Sequence, residues 1–178
     1  MNTTAFNLEQ ARKQVEERIA AIPFLRDSDI AHASDLDVAG LYAFSVLPRT
    51  TGKAGEVIHL VGPDELLTGG TAADFDKLML RLGVGKTPNV LDLPAFAHLF
   101  LRLRVLRHGV LLERPDGHPL VRPDQLPAKK FRPPNYDFDA DGAHYRFWVF
   151  DTDRFVPVFW DVRIAPNGST SFTTRELS

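Results

Sequence analysis

Three segments of the chain carry apolar residues at every third or fourth position, which predicts helices with one buried face. The first helix is expected over about residues 8–21, with Asn7 and Gln10 in the spacing of a capping box. The second is expected over residues 71–83 and the third over residues 92–109. Each segment ends at, or shortly before, a glycine or proline, which is typical of a helix end.

Short apolar runs between these helices predict strands. Residues 40–47 and 56–61 are expected to pair as a hairpin, and the polar stretch 28–37 is expected to form a loop. Residues 110–113 and 118–121 flank a Pro-Asp-Gly turn and are expected to form a second hairpin.

The C-terminal third has the clearest strand pattern, because every second residue of 156–164 is apolar. Residues 143–151 precede it and form its expected partner. A two-residue loop at 152–153 pairs Val149 with Val156 and brings the apolar residues of both strands onto one face. The sequence therefore predicts a half-buried antiparallel hairpin.

A second turn, at Pro-Asn-Gly, connects this hairpin to a third strand that ends near residue 177. A plain two-residue Asn-Gly turn pairs Phe172 with Arg163. A type I turn with a bulge at Gly168 pairs Phe172 with Val162 instead. The bulged turn is the expected one, because it leaves the apolar residues on the same face.

The element order predicts an α+β fold, with an antiparallel β-sheet of five to seven strands and about three helices packed on one side. Residues 1–178 are expected to form a single domain. A proline-rich connector without regular structure is expected at about residues 123–134. Its short basic cluster, Lys129, Lys130 and Arg132, is interpreted as part of a solvated connector.

Composition narrows the classes of function. The formal net charge is −2, from 21 basic and 23 acidic residues, so binding to nucleic acid is not expected. The chain has no cysteine, which excludes disulfides, thiolate metal sites and a thiol nucleophile. The N-terminal residues lack the pattern of a secretory signal, and no apolar run is long enough to span a bilayer. A cytoplasmic location without membrane contact is therefore expected.

The second face of the C-terminal sheet is unusually rich in aromatic residues for a solvated surface. Two interpretations are open: either helices or the connector cover this face, or it binds a partner or a ligand. Under the second interpretation, this face of the sheet is the candidate binding surface. Its members are Trp148, Phe150, Phe155, Phe159, Arg146, Asp161 and Arg163.

One stretch matches the first half of a calcium-binding loop. Asp137, Asp139 and Asp141 alternate and are followed by Gly142, as in the D-x-D-x-D-G pattern that converges carboxylates on Ca²⁺. The twelfth position is Trp148 rather than the expected bidentate glutamate. The alternative is a polar turn that enters a strand, where aspartate and glycine are common in any case. A Ca²⁺ site is the single cofactor hypothesis that the sequence offers.

Other catalytic and cofactor motifs are absent. The six histidines form no H-x-x-x-H pair, and there is no G-x-S-x-G sequence. Residues 83–87 end in Gly-Lys-Thr like a phosphate-binding loop, but they lack its first glycine at the required spacing.

The predicted order of helix, two strands and helix over residues 7–83 resembles small bacterial immunity-type α+β proteins. The absence of a catalytic constellation and of a cofactor loop, together with the aromatic-rich sheet face, favours a non-enzymatic protein that binds another protein through the sheet surface. An immunity or adaptor role is one concrete version of this hypothesis. The alternative is a small-ligand-binding or hydrolytic enzyme with a pocket on the C-terminal sheet. That pocket would be lined by Trp148, Phe159, Tyr145, Asp161, Arg163 and His144.

Overall fold

The computed structural model describes residues 6–49 and 55–176. These residues contain three α-helices and two antiparallel sheets, of four and five strands, which confirms the α+β class. The chain divides into two compact units, an N-terminal unit (Met1–Asp74) and a C-terminal unit (Phe75–Ser178). That the chain is a single domain stays a prediction.

The N-terminal unit begins with one helix followed by a sheet whose strands lie in chain order. Its elements are α1 (Leu8–Ala20), β1 (Ser28–His32), β2 (Tyr42–Pro48), β3 (Val57–Val61) and β4 (Leu66–Thr68). The capping box at the start of α1 is confirmed, since Asn7 and Gln10 exchange two hydrogen bonds of 3.0 Å. One face of α1 packs on the sheet in an apolar core of Ala11, Val15, Ile19, Leu25, Phe44, Val46 and Val61.

The loop expected over residues 28–37 is wrong. Residues 28–32 form β1, which pairs with β2 along its whole length, and a short 3₁₀ turn follows at Ser34–Leu36. The strand is polar because it is an edge strand, and its Asp29 forms an ion pair with Arg49. Four strands rather than two therefore separate the first two helices, so the element order behind the immunity-type resemblance is wrong.

The C-terminal unit combines helices with a five-stranded sheet. Helix α2 (Ala72–Leu82) leads into it, followed by α3 (Leu93–Leu99), a π-helical segment (Phe100–Val105), β5 (Gly109–Leu112), β6 (Asn135–Asp139), β7 (Gly142–Asp151), β8 (Val156–Ile164) and β9 (Thr170–Glu176). The main strand order is β5-β7-β8-β9, and β6 also pairs with β7. No helix in the two described ranges is long and apolar enough to cross a membrane.

The third helix starts as predicted but ends earlier. The side chain of Asp92 accepts a 2.8 Å hydrogen bond from the backbone N–H of Ala95, which confirms the predicted cap. Leu106 then takes a left-handed conformation with φ of 54° and ends the helical segment, so the expected end at Gly109 is wrong. Gly109 instead begins β5, where an added Cβ would lie only 2.3 Å from the side chain of Val149.

The hairpin expected between residues 110–113 and 118–121 is also wrong. Strand β5 pairs with β7, so that Leu111 lies opposite Val149, and residues 118–121 form no strand. Pro119 has no N–H to donate to a ladder, whereas β7 offers a long apolar partner. A non-local pairing therefore replaces the local one.

The pairing of β7 with β8 is shifted by two residues from the predicted register. Val149 lies opposite Val158 rather than Val156, because a four-residue connection replaces the expected two-residue loop. The Asp151 carboxylate accepts 3.0 Å hydrogen bonds from the N–H groups of Asp153 and Arg154 and stabilises this longer turn. A shift of two keeps every side chain on its predicted face.

The pairing of β8 with β9 is confirmed. Val162 lies opposite Phe172, as the bulged turn predicts. Gly168 has φ of 86°, and its N–H donates a 2.8 Å hydrogen bond to the carbonyl of Ala165.

The inner face of this sheet, defined by the apolar alternate residues of β7 and β8, forms the main core of the C-terminal unit. The ring of Phe96 stacks on Tyr145 with centroids 3.7 Å apart, and Phe100 meets Trp160 edge-on at 5.3 Å. Burial raises the pKa of Tyr145, whose hydroxyl donates a 3.1 Å hydrogen bond to the carbonyl of Leu91. Helix α3 and the π-helical segment thus cover the inner face. The opposite face of the sheet is called the outer face.

Candidate binding surface

One half of the outer face is a second core, which we call the covered half. Its members are Leu112, Leu126, Trp148 and Phe150, with Val121, Phe131 and Phe159 packed against them. Trp148 and Phe150 are 0% exposed, so they do not form the surface that the sequence predicted. The connector covers them, because Leu126 and Phe131 place apolar side chains against this end of the sheet.

The connector is held in place by local hydrogen bonds rather than by a strand. A 3₁₀ turn spans Ala128–Lys130, and the carbonyl of Pro127 accepts a 2.8 Å hydrogen bond from the N–H of Lys130. Leu126, immediately before the turn, is 1% exposed. The connector therefore has an ordered conformation in spite of its four prolines.

Phe155 lies apart from the other aromatic residues. It belongs to the connection between β7 and β8, is 59% exposed and has a left-handed φ of 57°. Its carbonyl accepts a 3.2 Å hydrogen bond from the side chain of Gln125. Its backbone therefore contacts the covering segment while its ring faces solvent.

The other half of the outer face, which we call the bare half, is polar. Arg146 donates a 2.6 Å hydrogen bond to the Asp137 carboxylate, and its guanidinium lies 2.9 Å from Nδ1 of His144. Nε2 of His144 lies 2.6 Å from the Asp161 carboxylate. Arg163 lies opposite His144 on the next strand and is exposed. The structure thus brings Arg146, Asp161 and Arg163 onto one face, as predicted.

This cluster does not support the enzyme alternative. Both ring nitrogens of His144 contact protein partners, Asp161 at Nε2 and Arg146 at Nδ1. The two cavities described in the C-terminal unit are lined by other residues, so His144, Asp161 and Arg163 do not converge on either of them.

The three aspartates of the calcium hypothesis do not converge either. Asp137 is engaged by Arg146, while the Asp139 carboxylate accepts a 2.8 Å hydrogen bond from the N–H of Asp141 in the β6–β7 turn. Gly142 is required by close packing, because an added Cβ would lie 2.1 Å from the carbonyl oxygen of Ile164. Within residues 6–49 and 55–176, no group of three or more His, Asp or Glu side chains is placed to hold a metal ion.

The sequence that ends like a phosphate-binding loop has a packing role. Gly83 takes a φ of 74° just after helix α2, as a helix-ending glycine does. An added Cβ at Gly85 would lie 2.1 Å from the carbonyl oxygen of Ala165, so this glycine permits close contact between two backbone segments.

Strand β9 forms an edge of the sheet beside the bare half. It pairs with β8 on one side, and every residue from Ser171 to Glu176 is exposed. The N–H of Thr170 donates a 3.0 Å hydrogen bond to the Asp76 side chain, away from β8. Because N–H directions alternate along an antiparallel strand, the N–H groups of Phe172 and Thr174 also point away from β8.

A basic cavity adjoins the covered half. Its volume is about 420 Å³, and its lining residues are Lys129, Lys130, Arg132 and Arg175. Arg175 was not among the residues predicted from the sequence. The signal existed, since the β8–β9 register that pairs Phe172 with Val162 also pairs Arg175 with Phe159 on the outer face.

The chain was compared with protein-family models, curated proteins and solved structures, and none of them matches it.

Proposed function

We propose that the protein is a non-enzymatic binding protein that takes up an extended segment of another protein along the β9 edge, next to the bare half. The observation that carries this proposal is the exposed edge strand itself. The unpaired backbone groups of an edge strand are a template for a further strand, and many peptide-binding domains use them in this way.

The sequence of β9 lacks the usual protection of an edge. Residues 170–174 read Thr-Ser-Phe-Thr-Thr, without charge, proline or glycine, and the charged Arg175 and Glu176 lie at one end of the strand. Glu176 is engaged in an ion pair with Arg154. A stretch of this composition favours pairing with another strand, which is consistent with a dedicated partner.

The side chains beside the edge define the chemistry of the partner. On the outer face, Arg175 of β9 and Arg163 of the neighbouring β8 favour acidic residues of an added strand. On the inner face, Phe172 is 37% exposed and favours an apolar residue. The preferred segment therefore alternates acidic and apolar residues.

Thr174→Pro tests strand addition. The substitution removes an N–H that points away from β8, so the fold is expected to persist while binding is lost. Peptides are selected against the wild-type protein from a library of alternating acidic and apolar sequences, and their affinities for the variants are then measured by calorimetry. Thr174→Val keeps the N–H and is the matched control, for which binding is expected to be retained.

Equal affinity of the selected peptides for Thr174→Pro and for Thr174→Val would contradict the proposal. So would the failure of a diverse library to yield any peptide that protects the backbone of β9. A measured hydrolytic activity that depends on His144 would favour the enzyme alternative instead.

A further inference from the structure

The described residues that line a cavity at the junction of the connector and β9 are all basic. Two lysines and two arginines, Lys129, Lys130, Arg132 and Arg175, surround a volume of about 420 Å³. Within residues 6–49 and 55–176, no carboxylate side chain is among the lining residues. The volume lies within the range of about 300–1,000 Å³ that is typical of small-molecule sites.

The two lysines are held by an anchored segment. They belong to the 3₁₀ turn Ala128–Lys130, which lies between the buried Leu126 and the partly buried Phe131. The N–H of Phe131 donates a 3.2 Å hydrogen bond to the carbonyl of Ala128 and closes this turn. The backbone of Lys129 and Lys130 is therefore fixed against the sheet.

Arg175 is held by the sheet itself. It is paired with Phe159 in the β8–β9 ladder, and its guanidinium carbon lies 5.5 Å from the centre of the Phe159 ring. A cation over an aromatic face at this distance is attracted to the ring, which restricts the orientation of the guanidinium. The fourth charge is thus placed by an element far from the connector in sequence.

Four like charges around one cavity repel each other, and this repulsion is relieved when an anion binds between them. Arginine offers paired N–H groups and lysine offers a compact charge, and both are the usual ligands of phosphate oxygens in proteins. A single carboxylate or chloride would neutralise one of the four charges. An anion with several negative charges matches the site better.

We propose that this cavity binds a small molecule that carries two or more phosphate groups. The connector supplies Lys129, Lys130 and Arg132, and the edge strand supplies Arg175. The site goes beyond the proposed strand addition and does not require it, because its ligand contacts side chains rather than the backbone edge of β9.

The test is a titration of the intact protein with inorganic pyrophosphate, followed by calorimetry and by the shift in melting temperature. A saturable interaction is expected that weakens as ionic strength rises. The double variant Lys129→Gln/Lys130→Gln and the single variant Arg175→Gln are each expected to lower the affinity about tenfold or more, since each removes a charge-assisted hydrogen bond.

Arg122→Gln is the matched control. Arg122 is an exposed arginine near the connector that is paired with Asp124 and does not line the cavity, so its loss is expected to leave the affinity for pyrophosphate unchanged. Thr174→Pro is also expected to bind pyrophosphate normally, which separates this site from strand addition. Circular dichroism of each variant verifies that the fold is retained.

Three results would overturn the proposal. The first is no saturable binding of pyrophosphate up to about 10 mM, which corresponds to a negligible affinity. The second is equal binding by the wild type and the double lysine variant. The third is an acidic peptide of the same charge that binds more tightly than pyrophosphate, which would assign the cavity to a protein partner instead.

Discussion

The covered half and the bare half of the outer face belong to the same strands, yet their side chains differ in exposure to solvent. In the covered half, Trp148 and Phe150 are 0% exposed beneath the connector. In the bare half, the side chains of Arg146 and Asp161 are 34% and 35% exposed. In this sheet, the dense aromatic patch that the sequence predicted as a surface is a second core, and the charged remainder of the face is partly exposed.

The energetic contrast between the halves follows from their chemistry. Full burial of a large apolar side chain stabilises a protein by about 1.5–3 kcal/mol. Exposed ion pairs such as Arg146 with Asp137 contribute about 0–1 kcal/mol each. Substitutions in the covered half should therefore affect stability, and those in the bare half should affect binding.

The largest effect is expected for Trp148→Ala. Removal of this buried ring leaves a cavity and should lower the free energy of unfolding by about 3–5 kcal/mol. Phe155→Ala is the matched control, because Phe155 is a large but exposed aromatic residue and its loss should change stability by no more than about 0.5 kcal/mol. Urea denaturation measures both, and equal losses for the two variants would contradict the assignment of a covered half.

The role of the connector is tested by Leu126→Ala. Leu126 is buried against the covered half, so truncation should lower the free energy of unfolding by about 2–5 kcal/mol. Leu120→Ala is the control, since Leu120 is exposed and should tolerate truncation. If Leu126→Ala unfolds at the same denaturant concentration as Leu120→Ala, the connector does not cover the face.

The variant Phe155→Gly should be more stable than the variant Phe155→Ala. The left-handed φ of 57° at Phe155 strains a residue with a Cβ, and glycine adopts this conformation without that strain. We expect a gain of about 1 kcal/mol in the free energy of unfolding relative to Phe155→Ala. If Phe155→Gly is no more stable than Phe155→Ala, the left-handed backbone at this position does not strain a residue with a Cβ.

The smallest effect on stability is expected for Arg146→Met in the bare half. Its ion pair with Asp137 is partly exposed, so the free energy of unfolding should fall by less than about 1 kcal/mol and the difference should shrink in high salt. Thermal denaturation at two salt concentrations measures this. A loss as large as that of Trp148→Ala would mean that the bare half is a core as well.

Local signals in the sequence predicted much of the fold. The cap at Asn7, the helix start at Asp92 and the bulged turn at Gly168 depend on neighbouring residues, and all three are confirmed. Strand faces were predicted correctly as well, because alternation survives a register shift of two.

Non-local pairings were not predictable in the same way. The polar strand β1 is stabilised by its neighbour rather than by its own pattern, and β5 joins β7 across more than 30 residues. The β7–β8 register depends on the Asp151 side chain and on Phe155 in a conformation that is rare for its residue type. At the candidate surface, the connector has no periodicity to show that Leu126 and Phe131 are buried.

Amide hydrogen exchange of the free protein tests the central claim most directly. The structure predicts that the N–H groups of Leu126 and Phe131, in a connector without strands, exchange slowly because they are hydrogen-bonded beside a buried core. It also predicts that the N–H groups of Phe172 and Thr174, in a regular strand, exchange fast because they point away from β8. Slow exchange at Phe172 and Thr174 together with fast exchange in the connector would contradict the account.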